Sequence, residues 1–185
     1  MDEVRERLAA ARETSAAEPE PSPLIRRAGV LIPLFVRDGG LWILFTRRTD
    51  TVEHHRGQIS FPGGSEEEED GSLLETALRE TREEIGVEEA DVRYLGALTP
   101  LTTVTDFYVE PFVGAIPSPY PFRVAESEIA ELIEAPVAAL LDPRILEKRI
   151  LPGREEPTLF YHHGAHVIWG ATARMLAELL DALKG

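Results

Sequence analysis

Three glutamates, Glu80, Glu83 and Glu84, lie within the run Arg79-Glu80-Thr81-Arg82-Glu83-Glu84-Ile85-Gly86-Val87. On a helix, positions i, i+3 and i+4 share one face. Their carboxylates then gather, while Leu78, Thr81 and Ile85 face inward. Like charges so placed repel unless a cation sits among them. Hard oxygen donors suit Mg²⁺ or Mn²⁺, which bind through a few carboxylates together with the phosphates of a substrate. Arg79 is spaced to pair with Glu83 at i+4. The same residues also describe a solvated acidic helix face, a common pattern. Their surroundings separate the two readings: Phe61-Pro62-Gly63-Gly64 precedes the helix, and a carbonyl at that turn adds an oxygen donor.

The helix that must carry these groups is expected over 72–86. Ser72 is the N-cap type, and Gly86 suits the residue that ends a helix. Upstream, apolar runs at 29–36 and 41–46 flank Asp38-Gly39-Gly40, which reads as a hairpin. A polar loop over 47–57 leads to a short strand at 58–61. Downstream, strands are expected at 92–98, 107–116, 158–161 and 166–169. Helical pieces are expected at 127–134 and 137–141, and a terminal helix at 171–183 with Met175, Leu176, Leu179, Leu180 and Leu183 buried. Residues 2–14 read as a weakly amphipathic helix. The stiff Glu18-Pro19-Glu20-Pro21-Ser22-Pro23 follows, so 1–23 is expected as an appendage and 24–185 as the main domain. Hairpins interleaved with helices imply α/β layers around a mixed sheet.

The bulk chemistry is consistent with a small-molecule enzyme. The chain has 185 residues, no cysteine and a net charge of −14. Absent cysteine excludes disulfides, thiolate metal sites and thiol nucleophiles. The negative charge argues against a nucleic-acid partner, yet a divalent cation can bridge carboxylates to a small phosphorylated substrate. No run is apolar enough for a membrane span, and the charged N-terminus is no secretory signal. A cytoplasmic location is expected.

The segment from Gly64 to Val87 resembles the Nudix box: Gly, five residues, Glu, seven residues, then Arg-Glu-apolar-x-Glu-Glu-x-Gly-apolar. Thr81 occupies the apolar position, Asp70 best fills the upstream acidic one, and the Gly64-to-Arg79 spacing is one residue longer than standard. That expansion resembles the coenzyme A pyrophosphatase branch. So does Leu44-Phe45-Thr46-Arg47-Arg48-Thr49, followed by Gly57 and Phe61-Pro62-Gly63-Gly64, although Glu53 stands where the branch signature has Arg. Ile168-Trp169-Gly170-Ala171-Thr172-Ala173 resembles the opening of that branch's last helix.

The resemblance spans roughly 25–183. It implies a Nudix fold, an α/β/α sandwich, and attack of a metal-activated water on a pyrophosphate. By position, Glu80, Glu83 and Glu84 become metal ligands, with the Gly64 carbonyl as a further one, and Arg79 orients a ligand carboxylate. The general base is either a box glutamate or one from a downstream loop, Glu128 before Glu126 or Glu110. The leading substrate is coenzyme A or a derivative, cut to phosphopantetheine and 3′,5′-ADP. ADP-ribose, another nucleoside diphosphate derivative or a nucleoside triphosphate is the alternative. A non-catalytic nucleotide-binding module is the reading from another class.

Other residues have competing roles. Arg47, Arg48 and Arg56, with His54 and His55 in the same loop, are phosphate clamps or partners of the excess glutamates. Glu66 to Glu69 reads as a solvated run. His162, His163 and His166 lack a fourth ligand for zinc. Phe107, Tyr108 and Phe112 read as sheet core rather than base-stacking groups. The sequence leaves open a homodimer bridged by the N-terminal helix.

Overall fold

The structure, a computed structural model, describes residues 1–14, 25–49 and 57–184. Helix α1 covers Asp2–Thr14. Strands β1 (Arg26–Arg37) and β2 (Gly40–Arg48) form the expected hairpin; short β3 (Ile59–Ser60) and β4 (Gly63–Ser65) lead to α2 (Leu73–Ile85). Then come β5 (Arg93–Ala97), β6 (Leu101–Thr102), β7 (Phe107–Ala115), β8 (Ile129–Pro136), α3 (Val137–Leu140), β9 (Leu146–Arg149), β10 (Thr158–His163), β11 (His166–Trp169) and α4 (Gly170–Lys184).

The hairpin closes through Asp38 and Gly39, whose φ values of 50° and 75° match the twist of antiparallel strands. β1 is the spine of an eight-stranded mixed sheet ordered β3-β2-β1-β7-β5, with β4, β6 and β8 attached to β1, β7 and β2. It runs parallel to β7 and antiparallel to β2 and β4. Leu31 and Phe35 point to one face of this sheet, Ile32 and Leu34 to the other, and all four are buried. A strand covered on both faces reads as a continuous apolar run. Helix α2 covers the Leu31 face with Leu73, Ala77 and Leu78. α4 covers the opposite face through Met175, Leu176, Leu179 and Leu180. This is an α/β sandwich around a mixed sheet, with β9–β11 as a separate three-stranded antiparallel sheet.

Two expectations change. Ser127 to Glu134, expected to be helical, instead contributes to β8, paired along β2 from Ile129↔Arg48 to Pro136↔Trp42. Ile129, Ile133 and Ala135 alternate into the core, while Leu132 packs on the other face beside Phe35 and Leu44. Apolar residues on both faces erase the two-residue period that marks a strand. The helix over 2–14 forms as expected, but Val4 and Leu8 enter the core shared with α4, and Arg7 Nη1 donates to the Leu183 carbonyl at 2.5 Å. The linker at 18–23 lies outside the described residues. Among the described residues, no helix is long and apolar enough to cross a membrane.

Candidate active site

α2 begins where Ser72 Oγ accepts from the Glu75 N–H, and ends at Gly86, whose φ of 72° is left-handed. Its buried side runs through Leu73, Thr76, Ala77, Leu78, Thr81, Glu84 and Ile85. Thr81 is tolerated at an apolar position because its hydroxyl donates to the Ala77 carbonyl at 2.6 Å. The helix lies very close to β1: a Cβ on Gly29 would overlap the Leu73 carbonyl oxygen. β4 pairs with β1 beside it, Gly64 opposite Gly29 and Gly63 opposite Val30. The Gly-Gly turn is thereby laid against the flank of α2 that carries the glutamates.

The three carboxylates are graded in depth. Glu84 is 5% exposed, Glu80 20% and Glu83 54%. Glu84 Oε2 accepts from the Gly63 N–H at 3.3 Å, and Arg48 Nη1 lies 3.6 Å from Oε1. Burial pushes the Glu84 carboxyl up to about 8; Arg48 and the Gly63 N–H pull it down without cancelling the rise, to which Glu80 and Glu128 add. Burial also raises the Glu80 carboxyl, against the opposing pull of Arg79.

Arg79 organises the outer part of the site. Its Nε and Nη2 donate to the two oxygens of Asp70 at 3.0 Å each, Nη2 also to the Ser65 carbonyl, and Nη1 to Glu80 at 3.0 Å and to Glu83 at 3.4 Å. Asp70 further accepts from the Thr76 hydroxyl and the Glu67 N–H. The bidentate guanidinium holds Asp70 well below the usual carboxylate range and raises Arg79 itself. The expected pairing with Glu83 is therefore present, but the principal anchor of Arg79 is Asp70.

Glu128 reaches the same neighbourhood from β8's entry loop. Its carboxylate lies 3.9 Å from Arg48 Nη2. The loop is tied to the end of α2: the Arg123 N–H donates to the Ile85 carbonyl, and the Ala125 N–H to the Glu84 carbonyl. Of the other base candidates, Glu110 pairs with Arg12 at 3.7 Å, and Glu126 is exposed.

Arg48 and Arg47 part company, as neighbours on a strand do. Arg48 faces Glu84 and Glu128, and its Nε is buried without a partner among the described residues. Arg47 Nε donates to Glu131 across the β2–β8 pairing at 2.9 Å, away from the glutamate cluster. Glu53, His54, His55 and Arg56 lie outside the described residues. His162 pairs with Glu147, and His166 with Glu131. Phe112 is core, and Phe107 carries Arg26 on its ring.

The donor set fits a hard divalent cation. It consists of carboxylate oxygens and a backbone carbonyl, and Gly64 is shaped for it: a Cβ there would lie 2.5 Å from Glu80 Cδ and Oε1. Only a residue without a side chain lets the Glu80 carboxylate rest on that turn. Among the described residues, no three acidic or histidine side chains are drawn in around one point; Arg79 and Arg48 balance the glutamates instead. Beside this cluster a cleft of about 800 Å³ is bordered by Gly63 and Arg48, by Phe61 and Val109, and by the start of α4. Arg154, Thr158, Trp169 and Arg174 also line it. Trp169 lies in the segment that resembles the opening of the branch's last helix, but no sequence motif marks Arg154, Thr158 or Arg174, because distant segments bring them together.

Residues 25–149 match the NUDIX domain family. The chain is 36% identical over 165 residues to an uncharacterized Nudix hydrolase NudL of Cronobacter sakazakii, covering 83% of this chain and 81% of that protein. The corresponding protein of Escherichia coli (strain SMS-3-5 / SECEC) is 34% identical over the same length, with the same shares covered. In fold, the chain is similar to a mutT/nudix family protein from Listeria innocua, with TM-score 0.56 and 17% identity over 89% of this chain and 96% of that one. It is also similar to the NUDIX domain of Shewanella oneidensis NrtR, solved with ADP ribose, with TM-score 0.50 and 18% identity over 72% and 85% of the two chains.

Proposed function

The chain belongs to the Nudix family and is a Nudix pyrophosphohydrolase, and from that premise we propose that its substrate is coenzyme A or a derivative, cleaved to phosphopantetheine and 3′,5′-ADP. The observation that carries this reading is the cleft beside the glutamates. Its volume of about 800 Å³ suits a substrate much larger than the pyrophosphate being cut. It joins apolar walls to an arginine whose Nε has no partner among the described residues. The lengthened spacing between Gly64 and Arg79 supports the same substrate.

In this reading Glu80, Glu83, Glu84 and the Gly64 carbonyl hold Mg²⁺ or Mn²⁺. A cation held there would supply neutralisation of charge on the pyrophosphate and a more nucleophilic water. Arg79, fixed by Asp70, orients Glu80 and Glu83. Glu128 takes the proton of the attacking water; its half-exposed carboxylate sits on a loop tied to α2. Arg48 binds phosphate oxygens, and Arg56 and His55 share that work. Arg47 contributes less, since Glu131 already engages it.

The second reading keeps the chemistry and changes the substrate to ADP-ribose or another nucleoside diphosphate derivative, on the charge reversal at Glu53. The test is incubation of the full chain with Mg²⁺ and a panel containing coenzyme A, ADP-ribose and nucleoside triphosphates, with products separated by chromatography. Release of 3′,5′-ADP from coenzyme A is expected. Turnover of ADP-ribose with none of coenzyme A would overturn the first reading.

A further inference from the structure

The first turn of α4 faces the cleft through Gly170, Ala171 and Thr172. This is a 15-residue helix with no acidic residue in its first turn. Trp169, which precedes it, has no acceptor side chain to cap it. Its free N–H groups and the positive end of its dipole therefore face the cleft uncompensated from within the helix. Arg174 stands one turn further on, exposed and also lining the cleft. Side chains on a helix lean toward its N-terminus, so the guanidinium leans toward that first turn.

An independent feature lies on the adjoining strand. Thr158 is only 8% exposed and lines the same cleft, and its hydroxyl has no hydrogen-bond partner among the described residues. A buried hydroxyl left unpaired is costly. The β10–β11 register pairs Phe160 with Trp169, the residue before the helix, and Thr158 lines the same cleft as Gly170 and Ala171 at the helix start. Arg154 also lines the cleft, beside Glu155 and Glu156, which oppose it. Among the described residues, neither Arg154 nor Arg174 makes an ion pair, in a chain of net charge −14. None of Glu80, Glu83 and Glu84 lines the cleft, so this group of donors is separate from the glutamate cluster.

We propose that the start of α4, with Arg174 and Thr158, forms a second anion subsite that binds a phosphate monoester carried by the substrate apart from its scissile pyrophosphate. Trp169, 41% exposed at the same rim, offers an aromatic face, which favours a nucleoside-borne phosphate over a free one. In coenzyme A this group is the 3′-phosphate. The proposal rests on the reading above only for the identity of that ligand.

The test begins with calorimetric titration of the full chain with 3′,5′-ADP, AMP and inorganic phosphate. 3′,5′-ADP is expected to bind roughly tenfold or more tighter than AMP, the effect of charge-assisted phosphate contacts, with inorganic phosphate far weaker than either. Arg174→Ala should bring the ratio close to one. Arg144→Ala makes the same charge change outside the cleft and should preserve it. Thr158→Val should lower the ratio without lowering the melting temperature, because it removes an unpaired hydroxyl. A merely structural threonine would lose stability instead. Equal binding of AMP and 3′,5′-ADP, or a ratio that survives Arg174→Ala, overturns the subsite even if coenzyme A is hydrolysed. An Arg174-dependent ratio with no hydrolysis of coenzyme A upholds the subsite and overturns the substrate.

Discussion

Replacing Gly64 by alanine should separate activity from stability. The added Cβ would lie 2.5 Å from Glu80 Cδ and Oε1, where carbon in ordinary contact needs about 3.5 Å or more. Something must retreat by about 1 Å. The obstructing atoms are the far end of a flexible side chain, not backbone, so the carboxylate moves and the sheet does not. Gly64 pairs with Gly29 in an ordinary strand, so alanine adds no backbone strain. A 1 Å displacement at a reacting centre can cost about a hundredfold in rate. The expected result is a fall of that order in kcat and weaker Mg²⁺ binding by calorimetry. The urea midpoint should stay near that of the parent. Parental kcat and Mg²⁺ affinity in a folded Gly64→Ala variant would refute the assignment of Glu80 and the Gly64 turn to the metal site. A collapse of the urea midpoint would refute the claim that the clash is local.

Glu84→Gln should abolish turnover, yet stabilise the metal-free protein at pH 8. Burial raises this carboxyl to about 8, so the wild-type fold loses stability as pH rises from the ordinary glutamate range through that value; melting curves from pH 5 to 9, with and without Mg²⁺, should show the two proteins diverging as pH rises. Asp70→Asn should destabilise the protein most above about pH 4. Asp70 is held below its ordinary value of 3.8, so its stabilising contribution is present above that pH and is lost as pH falls through the depressed value. Urea melts across the acid limb should show the two proteins converging at low pH. Glu128→Gln should lower kcat at least tenfold with KM and melting temperature little changed; an unaltered pH-rate profile would remove it as the base.

Much of this was legible in the sequence where it is local. The Asp38-Gly39 turn, the Ser72 and Gly86 ends of α2 and the spacing of its glutamates all depend on neighbours within one turn of chain. The strand at Ile129–Pro136 was not legible, because Glu131 falls on the face that carries Ile129 and Ile133 while Leu132 falls on the other, which breaks the alternation. Nor was the docking of Val4 and Leu8, since a helix with only a few apolar residues gains its burial from partners far along the chain. Glu131 as the partner of Arg47 and Asp70 as the main anchor of Arg79 depend on register and loop closure rather than on composition. The cleft lining depends on β10 and α4 arriving beside β4.

The two backbone bonds from Arg123 and Ala125 to the last turn of α2 have a consequence for how such a protein can diverge. They join the loop of Glu128 to the helix of Glu80, Glu83 and Glu84, so those four acids move as one part. The arginines and aromatic groups that would tell one substrate from another hang on separate segments, the turn before β10 and the opening of α4. Drift in those segments can retarget the enzyme while leaving its chemistry intact, and a lineage could change what it cuts without relearning how to cut.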